Sequence, residues 1–142
     1  MCILYVKCGQ NISLFTNNDS AYETAISLNN NGVTVNSIID IRDKSNSSIV
    51  KQAEELGIKI HWKHTVVNTN GYKRINSIEL MKLSDDGTSV VENKLKEECD
   101  CLGISGGWTP RVHLFTQSGG KLKFRDKDNV FLPDKSTSEK IS

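Results

Sequence analysis

The chain has 142 residues, and its 18 Lys and Arg against 17 Asp and Glu leave a formal net charge of +1. This near-neutral balance argues against nucleic acid or an anionic membrane surface as the main partner. No apolar run approaches the roughly 20 residues of a membrane span, and the length is tight for a cofactor domain together with a substrate domain.

The first half of the sequence predicts strands that alternate with helices. A short apolar run predicts the first strand. Asp19 or Asn18 is placed to cap the N-terminus of the helix that follows, and Gly32 is placed to end that helix. Such an alternation is typical of right-handed crossovers on a parallel sheet. The predicted elements are strands over Asn11–Thr16, Thr34–Ile41 and Ile58–Trp62, with helices over Ala21–Asn30 and from Ser47 or Ser48 to Leu56.

After Trp62 the pattern changes to strands joined by turn signals, which predicts an antiparallel meander. The meander strands are predicted over Thr65–Asn68, Ile75–Leu83 and Ser89–Glu97. A further short strand, Cys101–Ser105, then runs directly into Gly106 and Gly107. The predicted fold class is therefore α/β, a Rossmann-like βαβαβ parallel sheet with an antiparallel β-meander crossover.

The turn after the first strand is the first candidate binding feature. In a dinucleotide-binding crossover a glycine-rich turn places the pyrophosphate against the N-terminus of the first helix. Here the turn has no glycine, but Asn is the residue that next best tolerates left-handed backbone. Thr16, Asn17, Asn18, Asp19, Ser20 and Ala21 form this turn.

An acidic residue at the end of the second strand fits the same hypothesis. Asp40 lies 24 residues after Thr16, where a carboxylate accepts hydrogen bonds from the hydroxyls of an adenosine ribose. The same carboxylate would repel a 2′-phosphate, which favours NAD over NADP, although Arg42 lies nearby. A generic α/β crossover without a ligand remains the alternative.

Two segments carry a family resemblance. Residues 16–25 read Thr-Asn-Asn-Asp-Ser-Ala-Tyr-Glu-Thr-Ala and resemble the Gly-Gly-Gly-Asp-Ser-Ala-x-Glu-x-Ala turn of thioredoxin reductase-like flavoproteins, without the glycines. Residues 99–110 read Cys-Asp-Cys-Leu-Gly-Ile-Ser-Gly-Gly-Trp-Thr-Pro and are similar to the segment in which the NAD domain of such proteins returns to the FAD domain. More narrowly, residues 15–22 and 105–122 resemble the α subunit of heterotetrameric sarcosine oxidase.

The resemblance implies a fold of the FAD/NAD(P)-binding type and assigns the parts of the chain. Residues 1–10 would be a remnant of a preceding domain, 11–105 the NAD-type domain, 106–134 a return segment towards a FAD-type domain, and 135–142 a disordered tail. NAD is the implied cofactor, whereas FAD and FMN would be present only in the intact complex. The implied cofactor-binding residues are Thr16, Asn17, Asn18, Asp19, Ser20 and Ala21 in the turn, Asp40 at the ribose position, and Ser105, Gly106 and Gly107 on the returning strand.

The full complex of that family converts sarcosine to glycine with one-carbon transfer and hydrogen peroxide. This chain shows no FAD-type crossover, folate domain or flavin-attachment site, so we expect no catalytic residue in it and no activity from it alone. Its expected partners are other subunits or domains of a multi-subunit flavoenzyme, with no nucleic acid and no membrane. The alternative is a vestigial nucleotide site in a structural or subunit-docking module.

The histidines and cysteines give weaker signals. His61 and His64 are predicted to point to opposite faces of a strand end, which argues against a metal site. Cys99 and Cys101 are predicted to share one face of a strand as buried structural thiols. Four cysteines without a Cys-x-x-Cys motif, and an apolar N-terminus without a basic leader or cleavage site, favour reduced thiols in a cytoplasmic protein.

Overall fold

The computed structural model describes residues 9–107, 111–126 and 130–134. It divides the chain into two compact units, residues 1–107 and residues 108–142. Most of the predicted 1–10 segment, the Trp108–Pro110 part of the return motif and the predicted 135–142 tail lie outside the described residues.

A parallel sheet with two helices forms the centre of the first unit. Its elements are β1 (Asn11–Thr16), α1 (Ser20–Asn30), β2 (Thr34–Asp40), α2 (Ser48–Glu55), β3 (Lys59–Trp62) and, after the strands β4 to β6 described below, β7 (Cys101–Ser105). The strands of the sheet lie in the order β3-β2-β1-β7, and all three pairings are parallel. This arrangement confirms the predicted α/β class.

The helices bury one face of this sheet. The β-branched and Leu side chains of β1 and β2 are typical of buried strands. The side chains of β1 and β2 that face the helices pack against the apolar stripe of α1 and against Val50 and Ala53 of α2. The resulting cluster comprises Ile12, Leu14, Tyr22, Ala25, Ile26, Val35, Ile38, Val50, Ala53 and Ile58. In the described part of the chain, no helix is both long enough and apolar enough to cross a bilayer.

An antiparallel meander covers the other face. Its strands are β4 (His64–Gly71), β5 (Ile75–Leu83) and β6 (Val90–Glu98), in the order β4-β5-β6. Ile39 of β2 packs against Ile78 and Leu80 of β5 in a second apolar cluster. Because Ile38 and Ile39 are neighbours on one strand, their side chains point to opposite faces, and the meander therefore lies opposite the helices.

A single residue, Lys63, connects the parallel sheet to the meander. Its φ is 53°, which is left-handed backbone. Its N–H donates to the Arg42 carbonyl (3.1 Å), and its own carbonyl accepts from the Leu83 N–H (2.7 Å). The predicted opposite orientation of His61 and His64 is wrong: their ring centroids are 5.4 Å apart, because the conformation of Lys63 interrupts the alternation of an extended strand.

The expected common face of Cys99 and Cys101 is also wrong. The strand β7 begins only at Cys101, and Cys99 lies before it. Cys99 packs into the cluster under the meander, whereas Cys101 packs against the cluster under the helices. Burial raises the pKa of the Cys99 thiol, which fits a buried structural cysteine.

The second unit contains a short helix and a hairpin that the sequence did not predict. The helix is α3 (His113–Gln117), and the hairpin pairs β8 (Leu122–Arg125) with β9 (Val130–Pro133). Phe124 and Phe131 are cross-strand partners with ring centroids 5.0 Å apart. Aromatic pairs of this kind stabilise antiparallel strands.

Candidate functional site

The predicted site residues come together at the carboxyl edge of the parallel sheet. Thr16 ends β1, and it is in register with Asp40 of β2 on one side and with Ser105 of β7 on the other. In open α/β sheets, ligands bind outside the carboxyl ends of the strands where the strand order reverses. The strand order here reverses between β1 and β7, so the turn after Thr16 lies at that position.

The side chain of Thr16 fixes the start of the turn. Its hydroxyl accepts the Asn18 N–H (3.1 Å) and donates to the Asn18 carbonyl (3.0 Å). Thr16 is only 2% exposed, so water does not compete for these bonds. The Thr16 hydroxyl therefore stabilises the backbone of this turn, which contains no glycine.

Two asparagine carboxamides bridge the turn to the end of β7. The Nδ2 group of Asn18 donates to the Ser105 carbonyl (3.1 Å) and lies 3.2 Å from the Ser105 hydroxyl. The Nδ2 group of Asn17 donates to the Gly106 carbonyl (3.2 Å). Gly107 follows with a φ of +103°, a conformation that a side chain disfavours. The predicted Asn-Asn and Ser-Gly-Gly segments thus form one hydrogen-bonded assembly.

The same Asn18 side chain caps helix α1. Its Oδ1 accepts the Ser20 N–H (3.1 Å) and the Ser20 hydroxyl. Asp19 occupies the N-cap position but makes no side-chain cap hydrogen bond. Ala21 at the start of the helix is only 2% exposed, and a small residue here allows the helix and strand to pack closely. One of the donors that an anion would use at this helix end is therefore taken by Asn18.

The Asp40 carboxylate is enclosed by side chains of the chain itself. It is fully buried and accepts the Tyr22 hydroxyl (2.9 Å), the Arg42 backbone N–H (2.9 Å) and the Arg42 guanidinium (2.8 Å). The guanidinium also reaches Asp19 (2.7 Å). In this structure Asp40 contacts these groups, and a ribose would reach it only if Arg42 moved away. Its role towards a ribose stays a prediction.

Both donors to Asp40 keep their protons over the whole physiological range. Burial, reinforced by the Asp40 hydrogen bond, raises the pKa of Tyr22. The hydrogen bond to Asp40 is the main cause that raises the pKa of Arg42, and burial opposes it. Sequence reasoning missed Tyr22 as part of the site, although its position in the first turn of a helix after β1 was a usable signal.

A second polar cluster lies between the parallel sheet and the meander, and sequence reasoning did not find it. The Glu97 carboxylate on β6 is 2.6 Å from His61 Nε2 and 2.8 Å from Lys59 Nζ, and the Ser37 hydroxyl donates to Ser13 (3.1 Å) below it. Burial raises the pKa of Glu97, but the hydrogen bonds from His61 and Lys59, with a smaller contribution from Ser37, outweigh it and bring the pKa to about 2. No group of three or more His, Cys, Asp or Glu side chains that could hold a metal ion occurs within the described ranges.

The curated proteins similar to this chain share one name. No protein-family model matches the chain. The chain is similar to sarcosine oxidase subunit alpha of Corynebacterium sp. (strain P-1), with 30% identity over 131 residues, and to that of Rhizobium meliloti (strain 1021), with 29% identity over 133 residues. The alignments cover 91% and 89% of this chain but only 13% and 12% of those proteins. The predicted resemblance is confirmed, and the chain spans about an eighth of the length of these relatives.

Solved structures with the same fold include two oxidoreductases. Thioredoxin reductase of T. acidophilum matches 81% of this chain with a TM-score of 0.62 and 22% identity, over 36% of its own length. A FAD-dependent pyridine nucleotide-disulphide oxidoreductase from Desulfovibrio vulgaris matches 87% of this chain with a TM-score of 0.56 and 15% identity, over 33% of its own length. The predicted FAD/NAD(P)-binding type of fold is confirmed.

Proposed function

We propose that the first unit binds NAD and is the dinucleotide-binding part of a flavin-dependent amine oxidoreductase similar to sarcosine oxidase. The observation that carries the proposal is the joining of the Asn17–Asn18 turn to Ser105 and Gly106 between β1 and β7. This is the position where open α/β sheets bind dinucleotides. The chain is similar to alpha subunits of sarcosine oxidase.

The residues of the turn fit a pyrophosphate through neutral donors. The hydroxyls of Ser20 and Ser105 lie together at the N-terminus of an 11-residue helix, whose dipole favours an anion. The Asp19 carboxylate beside this helix end is paired with Arg42. The Ser20 N–H and hydroxyl now donate to Asn18 Oδ1. A bound pyrophosphate would accept these two hydrogen bonds in place of Asn18.

The charge around Asp40 favours NAD over NADP. Asp19, Asp40 and Arg42 together carry a net charge of −1 at the end of β2. A 2′-phosphate placed there would meet two carboxylates for one guanidinium, whereas a ribose hydroxyl carries no charge. Arg42 is 34% exposed, so it has room to turn outwards and release Asp40 to a ribose.

The proposed role is orientation of the cofactor, with the redox chemistry elsewhere. NAD supplies hydride transfer when bound, and a flavin held by other domains or subunits would exchange electrons with it. We propose no catalytic residue in this chain. Oxidation of sarcosine with one-carbon transfer, the association with further subunits, and a cytoplasmic location belong to the same proposal for the larger enzyme.

A second function, a subunit-docking module with a vestigial site, is favoured by a different observation. Asn18 Oδ1 already accepts the Ser20 N–H and hydroxyl, as a phosphate oxygen would. A turn satisfied in this way has less to gain from a ligand. In that case the domain would bind a flavoprotein subunit without binding NAD.

Calorimetric titration of the full chain with NAD and NADP separates the two functions. We expect NAD to bind more tightly than NADP, and Asn17→Gly with Asn18→Gly to leave the affinity for NAD unchanged or higher, because the glycines free the helix end. Asn46→Gly in an exposed loop is the matched control. An absence of heat at millimolar NAD for both the wild type and the double-glycine variant would refute NAD binding and favour the docking module.

A further inference from the structure

The dipeptide Asn-Gly occurs twice in the sequence, at Asn31-Gly32 and at Asn70-Gly71. In such a dipeptide the backbone nitrogen of the glycine can attack the side-chain carbonyl carbon of the asparagine, because no Cβ on the glycine blocks the approach. The attack requires the backbone and side chain of the asparagine to rotate until these two atoms meet. The local structure therefore decides how readily each asparagine reacts.

Asn31 and Gly32 lie in the turn between α1 and β2, and both are exposed. Asn31 is the C-cap residue of α1, and Gly32 has a φ of +78° with open space on the side where a Cβ would stand. Two hydrogen bonds hold the pair, from the Asn31 side-chain amide to the Ser27 carbonyl (2.7 Å) and from the Gly32 N–H to the Asn29 carbonyl (3.1 Å). Fraying of the last helical turn breaks both, and helix ends open at little cost in free energy.

Asn70 and Gly71 are held by the antiparallel ladder between β4 and β5. Both residues pair with β5. The Asn70 side-chain amide donates to Glu79 Oε1 (3.2 Å), and the Arg74 carbonyl packs against Gly71. Rotation of Asn70 would therefore require the end of β4 to separate from β5, which costs more than fraying of a helix end.

We propose that Asn31 is a site of spontaneous deamidation in the folded protein, and that the fold protects Asn70 from the same reaction. The Gly32 nitrogen forms a bond to Asn31 Cγ, and ammonia leaves with the amide nitrogen and the Gly32 proton. Water then opens one of the two C–N bonds of the resulting cyclic imide and leaves aspartate or isoaspartate at position 31. The reaction needs no reactant other than water.

The product places a negative charge at an end of α1 that has no counter-charge. The last turn of α1 contains no basic residue, and the C-terminal end of a helix dipole disfavours an anion. A carboxylate at position 31 has no amide donor and faces the Ser27 carbonyl, which is itself an acceptor. Isoaspartate in addition lengthens the backbone by a methylene group just before β2, which begins at Thr34. Deamidation therefore weakens the connection between α1 and β2.

The test follows the two asparagines separately by mass spectrometry of peptides from the full chain. The chain is incubated in mildly alkaline buffer, once folded and once unfolded in urea, and the aspartate and isoaspartate at each position are quantified over time. Asn31→Gln keeps an amide at the C-cap, but the longer side chain of glutamine disfavours closure of the ring. Asn70→Gln is the matched control.

In the folded chain we expect deamidation at Asn31 to be about tenfold or more faster than at Asn70, whereas in urea the two rates should agree within about twofold. Asn31→Gln should slow the formation of isoaspartate in the folded chain, and Asn70→Gln should leave it unchanged. Equal rates at the two positions in the folded chain would overturn the proposal, as would an unreactive Asn31 in the folded chain when both positions react in urea. The same preference for Asn31 in urea would also overturn it, because the fold would then not be the cause.

Discussion

The Glu97 carboxylate makes the stability of the first unit depend on acid pH. Glu97 is 13% exposed and receives hydrogen bonds from His61 on β3 and Lys59 on the same strand, so it links the meander to the parallel sheet. The substitution Glu97→Gln keeps the size of the side chain and removes its charge. A glutamine therefore represents the protonated acid at every pH.

The size of the effect follows from the lowered pKa of Glu97. Its pKa falls from the ordinary 4.5 to about 2 in the folded protein. At 1.36 kcal/mol per pKa unit, this difference is worth ~3 kcal/mol of folding free energy. Because the folded pKa is the lower one, the stabilisation is fully present above pH 4.5 and is lost as the pH falls towards 2.

Urea unfolding followed by tryptophan fluorescence measures this difference. At pH 6 we expect Glu97→Gln to be less stable than the wild type by about 3 kcal/mol, and we expect the gap to narrow to near zero at pH 2. Glu54→Gln, on an exposed position of α2, is the control and should show no such gap. A gap between wild type and Glu97→Gln that stays constant from pH 6 to pH 2 would refute the reasoning, because it would not depend on the Glu97 proton.

Two further substitutions test the site and the meander. Tyr22→Phe removes a hydroxyl that donates to the buried Asp40 at 2.9 Å, so we expect the free energy of unfolding in urea to fall by ~1–3 kcal/mol. The control Tyr72→Phe, at an exposed position, should leave the free energy of unfolding unchanged. Equal stability of the two variants would contradict this prediction. Gly71→Ala places a Cβ within 1.9 Å of the Arg74 carbonyl at a φ of +151°, whereas Gly87→Ala meets nothing within 4 Å at a φ of +69°. We expect Gly71→Ala to lower the midpoint temperature of thermal unfolding clearly more than Gly87→Ala does. A smaller effect of Gly71→Ala than of Gly87→Ala would show that the backbone of the β4–β5 connection is not constrained as described.

The strands of the parallel sheet were predictable because burial on both faces selects continuous apolar and β-branched runs. The predicted first strand agrees with β1 at both ends, and the predicted third strand differs from β3 by one residue. The family resemblance placed Asn18 and Ser105 in one site, and the parallel pairing of β1 with β7 brings the two residues together in the structure. These features depend on local patterns and on topology alone.

The features that were missed depend on single side-chain or backbone conformations. Arg42 closes over Asp40 instead of remaining in solvent, which is a choice of rotamer that the sequence does not encode locally. The proximity of His61 and His64 depends on one left-handed residue between them, and Lys is not a residue type that signals such backbone. The hairpin of the second unit has strands of only four residues, too short for a periodic signal.

The left-handed Lys63 also sets how the domain tolerates insertions and deletions. As the only residue between β3 and β4, it determines which side chains of β4 face the parallel sheet. Deletion of one residue at this point would exchange the inward and outward sets of the whole strand. In the β5–β6 connection, by contrast, an added residue would enter an exposed turn around Gly87. Length variation among related chains is therefore expected at the tip of the meander, while its point of departure from the sheet keeps a fixed length.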